Sequence, residues 1–115
     1  MNEEMEILKT ILDYINKLEI EIEKTAYLFI SGKLDDGNKN IPLIIDGIQW
    51  VIDAINMIKY NNERIVQTEK INPKLTQLLD GYENGDYILT GDTFLYEISP
   101  VIKEWNEILT LYANK

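Results

Sequence analysis

Neither cysteine nor histidine occurs in the 115 residues, and arginine occurs once, at Arg64. The first two absences exclude the most. Without cysteine there is no disulfide framework, and without either residue there is no thiolate or imidazole zinc site and no Cys–His or Ser–His catalytic pair. Basic residues are scarce, 11 against 20 acids, for a net charge of −9. The acidic excess lies toward the two ends: residues 1–40 carry nine acids and five bases, and residues 73–115 carry seven and three. A surface with no basic stripe repels phosphate, which excludes nucleic acid and anionic membrane as partners. No uninterrupted hydrophobic run is long enough to span a bilayer. The most apolar stretch, 41–58, is broken by Pro42, Asp46, Gln49, Asp53 and Asn56. The opening Met1-Asn2-Glu3-Glu4 is acidic where a secretory signal must be basic, so a cytoplasmic location is expected. Abundant Ile, Asn and Lys with a single Arg is the composition of an AT-rich bacterial genome.

What is present suits one soluble domain spanning 1–115, with 45% hydrophobic and 27% charged residues. Met5, Leu8, Leu12, Ile15, Leu18, Ile22, Ala26 and Phe29 recur at spacings of three and four, which predicts a helix from about Asn2 to Ser31. Ile7, Ile11, Tyr14 and Leu28 widen that stripe. Residues 32–40 read as a turn by composition, with Gly32 capping the outgoing helix, Asn40 capping the incoming one and Pro42 in its first turn. The second helix is expected from Ile41. Its broad face of Ile44, Ile45, Ile48, Val51, Ile52, Ile55 and Ile58, extended by Leu43, Trp50, Ala54 and Met57, predicts the most buried helix of a bundle, continuing or fraying toward Thr68. Gly47 within it implies a close helix–helix approach.

Asn72-Pro73 marks a restart, a cap followed by proline, for a short helix ending at Asn84-Gly85. A last helix comes next, capped by Asp86 and carrying Phe94, Ile98, Ile102, Trp105 and Leu109. Pro100 is expected to kink it, and residues 86–92 admit either helix or a turn that starts the helix later. The fold class is therefore all-α, a four-helix up-and-down bundle with a kinked C-terminal helix.

Few constellations could carry chemistry. Glu19 and Glu23, four apart, have the spacing of carboxylate-bridged metal sites, but those sites also take histidines this chain lacks. Asp46 and Asp53 could join an all-oxygen Mg²⁺ or Ca²⁺ site; a solvated acidic face explains them more simply. The 35–38 and 86–92 segments lack the alternating ligands and closing Glu of a calcium loop, and no glycine-rich phosphate loop is present. No catalytic, cofactor or metal residue is assigned, and an enzyme is not expected. Six of the eleven aromatics fall after residue 81. Phe94, Trp105 and Tyr112 lie on the apolar stripe, whereas Tyr87 and Tyr96 lie off it, beside Asp92 and Glu97. Tyrosine offers area and a hydrogen-bonding tip, so these four residues form a candidate partner-binding patch; tyrosines packed flat on the bundle are the simpler alternative.

Residues 84–105, with Asp86-Tyr87, Asp92, Tyr96-Glu97, Pro100 and Trp105 in order, resemble a segment of an uncharacterised all-helical bacterial family of clostridia and bacilli. Asn72-Pro73 and Asp46-Gly47 are similar too, while Gly91 stands where that pattern has alanine. The resemblance implies the helical fold and attaches no activity. In size, charge and helix pattern, without a shared motif, the chain also resembles flagellar export chaperones, which implies a link to motility or export. The expected function is a non-enzymatic cytoplasmic protein-binding module, adaptor or chaperone-like. A homo-oligomeric structural bundle is the alternative, and a small-ligand or Mg/Ca-binding bundle the third reading.

Overall fold

The structure, a computed structural model, describes residues 3–58, 61 and 63–114. It is an all-α bundle. Helix α1 (Glu3–Ile30) buries Leu8, Ile11, Ile15, Leu18, Ile22, Ala26 and Phe29, the stripe its spacing predicts, and holds Glu3, Glu4 and Glu6 at the positive end of its dipole. It ends in a glycine cap. Gly32 adopts φ +78°, Gly32 N–H donates to the Phe29 carbonyl at 3.1 Å, and Lys33 N–H donates to Leu28 at 2.8 Å.

Helix α2 (Leu34–Met57) starts seven residues before the expected Ile41. The reason lies in α1, not in the local sequence. Leu34 packs against the core, and Gly37 is buried on the Phe29 ring, where an added Cβ would meet ring carbons at 3.1 Å. The Asn40 amide, rather than capping a helix, donates to Thr25 Oγ1 at 3.2 Å. Pro42 consequently sits inside α2. The helix expected to run toward Thr68 stops at Met57, with Ile58 extended; Lys59, Tyr60 and Asn62 lie outside the described residues.

A buried asparagine organises the connection between α2 and the next helix. Asn61 Oδ1 accepts from Val66 N–H at 2.8 Å, while its amide donates to the Val66 carbonyl at 3.2 Å and to Asn56 Oδ1 at 3.4 Å. This tucks Val66 and Ile71 into the core. A 3₁₀ turn (Thr68–Ile71) leads into α3 (Asn72–Glu83), so Asn72 is already helical and does not cap it, with Pro73 in the first turn. Gly85, at φ +72°, ends α3 with the same bond pair as Gly32: Gly85 N–H to Tyr82 at 3.1 Å and Asp86 N–H to Gly81 at 2.9 Å.

Residues 86–92 are helical beyond the cap. Asp86 Oδ1 accepts from Leu89 N–H at 3.1 Å and opens α4 (Tyr87–Thr93). A π turn (Phe94–Ile98) then joins α4 to α5 (Ser99–Ala113). The interruption expected at Pro100 takes this form. Proline lacks an N–H and its ring crowds the carbonyl four residues earlier. One extra residue in the preceding turn, with Ser99 N–H reaching back to Phe94, absorbs that misfit.

Helix α1 is the centre. Helix α2 runs antiparallel along one flank. The α4–α5 rod runs antiparallel along another, from Gly91 at Ala26 to Asn106, whose amide donates to Asn16 Oδ1 at 2.7 Å and Glu19 Oε2 at 2.9 Å. Helix α3 packs on α4, with Lys74 and Glu97 paired at 2.6 Å. At the far end of α1 the Phe29 ring gathers Tyr82, Tyr87 and Phe94 at centroid distances of 6.1, 6.1 and 6.5 Å. Helices α4 and α1 approach closely at Gly91, where a Cβ would lie 2.8 Å from the Ala26 carbonyl oxygen. At Gly47, the expected site of such an approach, α2 also lies close on α1, where an added Cβ would stand 2.5 Å from the Tyr14 hydroxyl oxygen and 3.4 Å from Leu18 Cδ1.

Candidate functional site

The four residues proposed from sequence do not assemble. Tyr87 is half-buried and stacks on Phe29 at an interplanar angle of 17°. Tyr96 is 71% exposed, and nine helical residues place it about 13 Å further along the rod. Asp92 is half-buried, and Glu97 is held by Lys74. Of the acids considered for metal, Glu19 accepts from Asn106, Glu23 pairs with Lys103 at 3.0 Å, and Asp53 accepts from the Gln49 amide at 2.9 Å. Among the described residues no group of three or more Asp or Glu is placed to hold a metal ion. The Glu23 carboxylate, accepting from the Lys103 ammonium, raises that lysine above its ordinary value.

The surface that does assemble lies between α1 and α2, on the side away from the core. Two rows of apolar residues with seven-residue spacing flank it. Leu43, Trp50 and Met57 stand in a row on α2, and Ile7 and Tyr14 on α1. Sequence reasoning places Leu43, Trp50 and Met57 at the edge of a buried face, yet Leu43 is 68% exposed, Trp50 44% and Met57 83%. Helix α2 is an edge helix, not the most buried one. Its core row (Ile41, Ile44, Ile48, Val51, Ile55) is separate from this outer row, and the seven-residue period of the outer row was the available signal.

Three adjoining hollows that share lining residues make up a trough along this seam. Its middle, about 630 Å³, is bounded by Thr10, Asp13, Tyr14 and Lys17 on α1 and by Leu43, Asp46, Gly47 and Trp50 on α2. Sharing Thr10 and Trp50 with it, a second stretch of about 450 Å³ runs toward Glu3, Glu6, Ile7 and Ala54. Sharing Tyr14, Lys17 and Leu43, a third of about 270 Å³ runs the other way toward Glu21 and Asn40. The Tyr14 and Trp50 rings meet at 4.9 Å and 51°, so each fixes the other's orientation. Gly47 permits this, because an added Cβ would stand 2.5 Å from the Tyr14 hydroxyl oxygen. A smaller hollow of about 220 Å³ between residues 65–74 and α5 is lined by Lys70, Lys74 and Trp105, with Lys74 already paired.

Residues 6–108 match the family described as a domain of unknown function, DUF8042. The chain belongs to that family. The matched span takes in nearly all of both trough-forming helices as well as the 86–105 segment, and it carries no assigned activity. No curated protein and no solved structure matches the chain. Among the described residues, no helix is long and apolar enough to cross a membrane.

Proposed function

We propose that this DUF8042 domain is a non-enzymatic protein-binding module, adaptor or chaperone-like, whose contact surface is the trough between α1 and α2. The observation that carries the reading is the exposed pair Leu43 and Trp50 on α2 beside Ile7 and Tyr14 on α1, large apolar side chains that together line the hollows of this seam, with the exposed Met57 in line with them. Large apolar residues in a contiguous, exposed arrangement mark interaction surfaces, and tryptophan is among the commonest energetic anchors of such contacts. The trough is open to water along its length, with solvated carboxylates at its edges, which suits contact better than a reaction that must exclude solvent. We favour this surface over Tyr87, Tyr96, Asp92 and Glu97, since Tyr87 is committed to the Phe29 stack and Glu97 to Lys74. In the same reading the protein works in a bacterial cytoplasm, which its lack of cysteine suits.

The test is affinity capture from host extract with the full chain and with a Leu43→Glu/Trp50→Ala variant. Both residues are substantially exposed, so the variant keeps the fold, which far-UV circular dichroism and a melting midpoint lowered by no more than the lost Tyr14–Trp50 ring pair will verify. The expected result is a polypeptide that co-purifies with the wild-type chain and is lost with the variant. Equal recovery on both refutes the trough as the contact surface.

A further inference from the structure

Resting on the reading of the trough as a protein-binding surface, we infer that its occupant is a basic amphipathic helix of about 18 residues contributed by a partner protein. Three observations converge on it.

The first is register. Apolar residues seven apart on both walls (Ile7 and Tyr14, then Leu43, Trp50 and Met57) are the pattern into which a third helix packs, knob against hole, at coiled-coil spacing. An extended strand would need free backbone donors and acceptors along the trough, and both walls are helices whose backbone groups are already paired.

The second is length. From Glu3 to Glu21 on α1 the trough runs 18 helical residues, about 27 Å, or five turns. That exceeds what a small metabolite fills and matches a recognition helix.

The third is charge. The charged residues lining the trough, among those described, are Glu3, Glu6, Asp13, Glu21 and Asp46 against Lys17. Acids above an apolar floor select lysine and arginine flanking an apolar stripe. They also disfavour a second copy of this chain, because two such edges, on chains of net charge −9 each, would face one another.

Calorimetry with the full chain and three designed 18-residue peptides tests the inference. One peptide carries leucines at heptad spacing with lysines elsewhere. The second keeps the leucines and replaces lysine by glutamate. The third has the composition of the first in scrambled order. The expected result is one-to-one binding of the first alone, weakened at least tenfold by Asp13→Lys/Asp46→Lys, at least tenfold by Leu43→Glu, and progressively by added salt. Equal binding of the acidic peptide overturns the charge argument, and equal binding of the scrambled peptide overturns the helix. Binding of none of the three, while Leu43→Glu/Trp50→Ala still loses the captured partner, overturns the basic-helix occupant and leaves the trough as the contact surface. A wild-type dimer that Leu43→Glu returns to monomer overturns it in favour of a second copy.

Discussion

Two glycines within helices separate a packing cost from a helix-propensity gain. Replacing an interior helical glycine by alanine normally stabilises by about 1 kcal/mol. At Gly91 the new methyl would lie 2.7 Å from Ile30 Cγ1 and 2.8 Å from the Ala26 carbonyl oxygen, where unstrained contact begins near 3.4 Å. The backbone oxygen cannot rotate away, so α4 must retreat from α1 by about 0.6 Å, in the range where overpacking costs about 1–3 kcal/mol. With two atoms obstructing, the upper half of that range applies, about 2–3 kcal/mol, and less the propensity gain of about 1 kcal/mol it leaves a net destabilisation of about 1–2 kcal/mol for Gly91→Ala. At Gly47 the nominal overlap is worse, 2.5 Å, but the obstacle is the tip of Tyr14 at the wall of an open trough. Tyr14 can swing outward, losing a ring pair worth about 0.5–1.5 kcal/mol, so Gly47→Ala stays within about 1 kcal/mol of wild type. Urea unfolding monitored by far-UV circular dichroism reads both. With a slope of about 1.5 kcal/mol per molar, Gly91→Ala should lower the midpoint by about 1 M. A Gly91→Ala protein as stable as wild type would refute the close approach of α4 to α1, and equal losses at both positions would refute the distinction between backbone and side-chain obstacles.

Other perturbations rest on single contacts. Ser99 is 2% exposed and its hydroxyl makes no hydrogen bond, so Ser99→Ala should leave stability unchanged or raise it by up to about 1 kcal/mol in the same urea assay; a clear loss would show that the hydroxyl has a partner. Asn61→Ala removes both bonds to Val66 and leaves that backbone without them inside the fold, and should cost about 2–3 kcal/mol, with hydrogen exchange of the Val66 amide accelerating strongly. Glu69 has its carboxyl held below 4.5, first by its backbone hydrogen bond and then by the Arg64 side chain. A depressed folded value means that its contribution is present above pH 4.5 and lost as pH falls through that lower value. Arg64→Ala should move the Glu69 midpoint upward in a carboxyl NMR titration, and an unmoved midpoint would rule out the guanidinium as a cause.

The helical class and the extents of α1 and α3 were legible because they rest on signals confined to the segment itself. Stripe periodicity marked α1, and Gly32 and Gly85 marked helix ends because only glycine enters the left-handed cap without strain. The start of α2 was not legible. Residues 32–40 have the composition of a turn, and what makes 34–40 helical is the Phe29 ring against Gly37 and Thr25 against Asn40, contacts from a different helix. Pro100 announced an interruption but not its form, since a kink and a π turn both remove the clash and only packing chooses between them. The trough was illegible for a related reason. A wide apolar face predicts burial only if a neighbour exists to cover every part of it, and no count of residues along α2 says whether one does.

That neighbour's absence is explained by how the other sides of α1 are used. The α4–α5 rod occupies one side through Gly91, Lys103 and Asn106, and α2 occupies the next through its isoleucine row. Val66 and Ile71, held in place by Asn61, bring the 66–71 connection against the core, and α3 covers α4. The rod and α2 thus cover two sides of α1, and among the described residues the outside of the α1–α2 seam is left with Ile7, Tyr14, Leu43 and Trp50 in partial contact with water. The same seam is stiff. Both its walls are helices anchored on their opposite faces, and Trp50 is braced by Tyr14, so its two main aromatic side chains lose little freedom when covered. A surface ordered before its partner arrives avoids about 0.5–1.5 kcal/mol for each side chain that would otherwise be immobilised on binding. Leu43→Glu should therefore weaken the basic peptide by inserting a charge into the contact while leaving the urea midpoint near wild type, because that residue stabilises nothing within the bundle that water does not already reach. A large fall in the midpoint would mean that the exposed row supports the fold itself, and the trough would then be structure rather than surface.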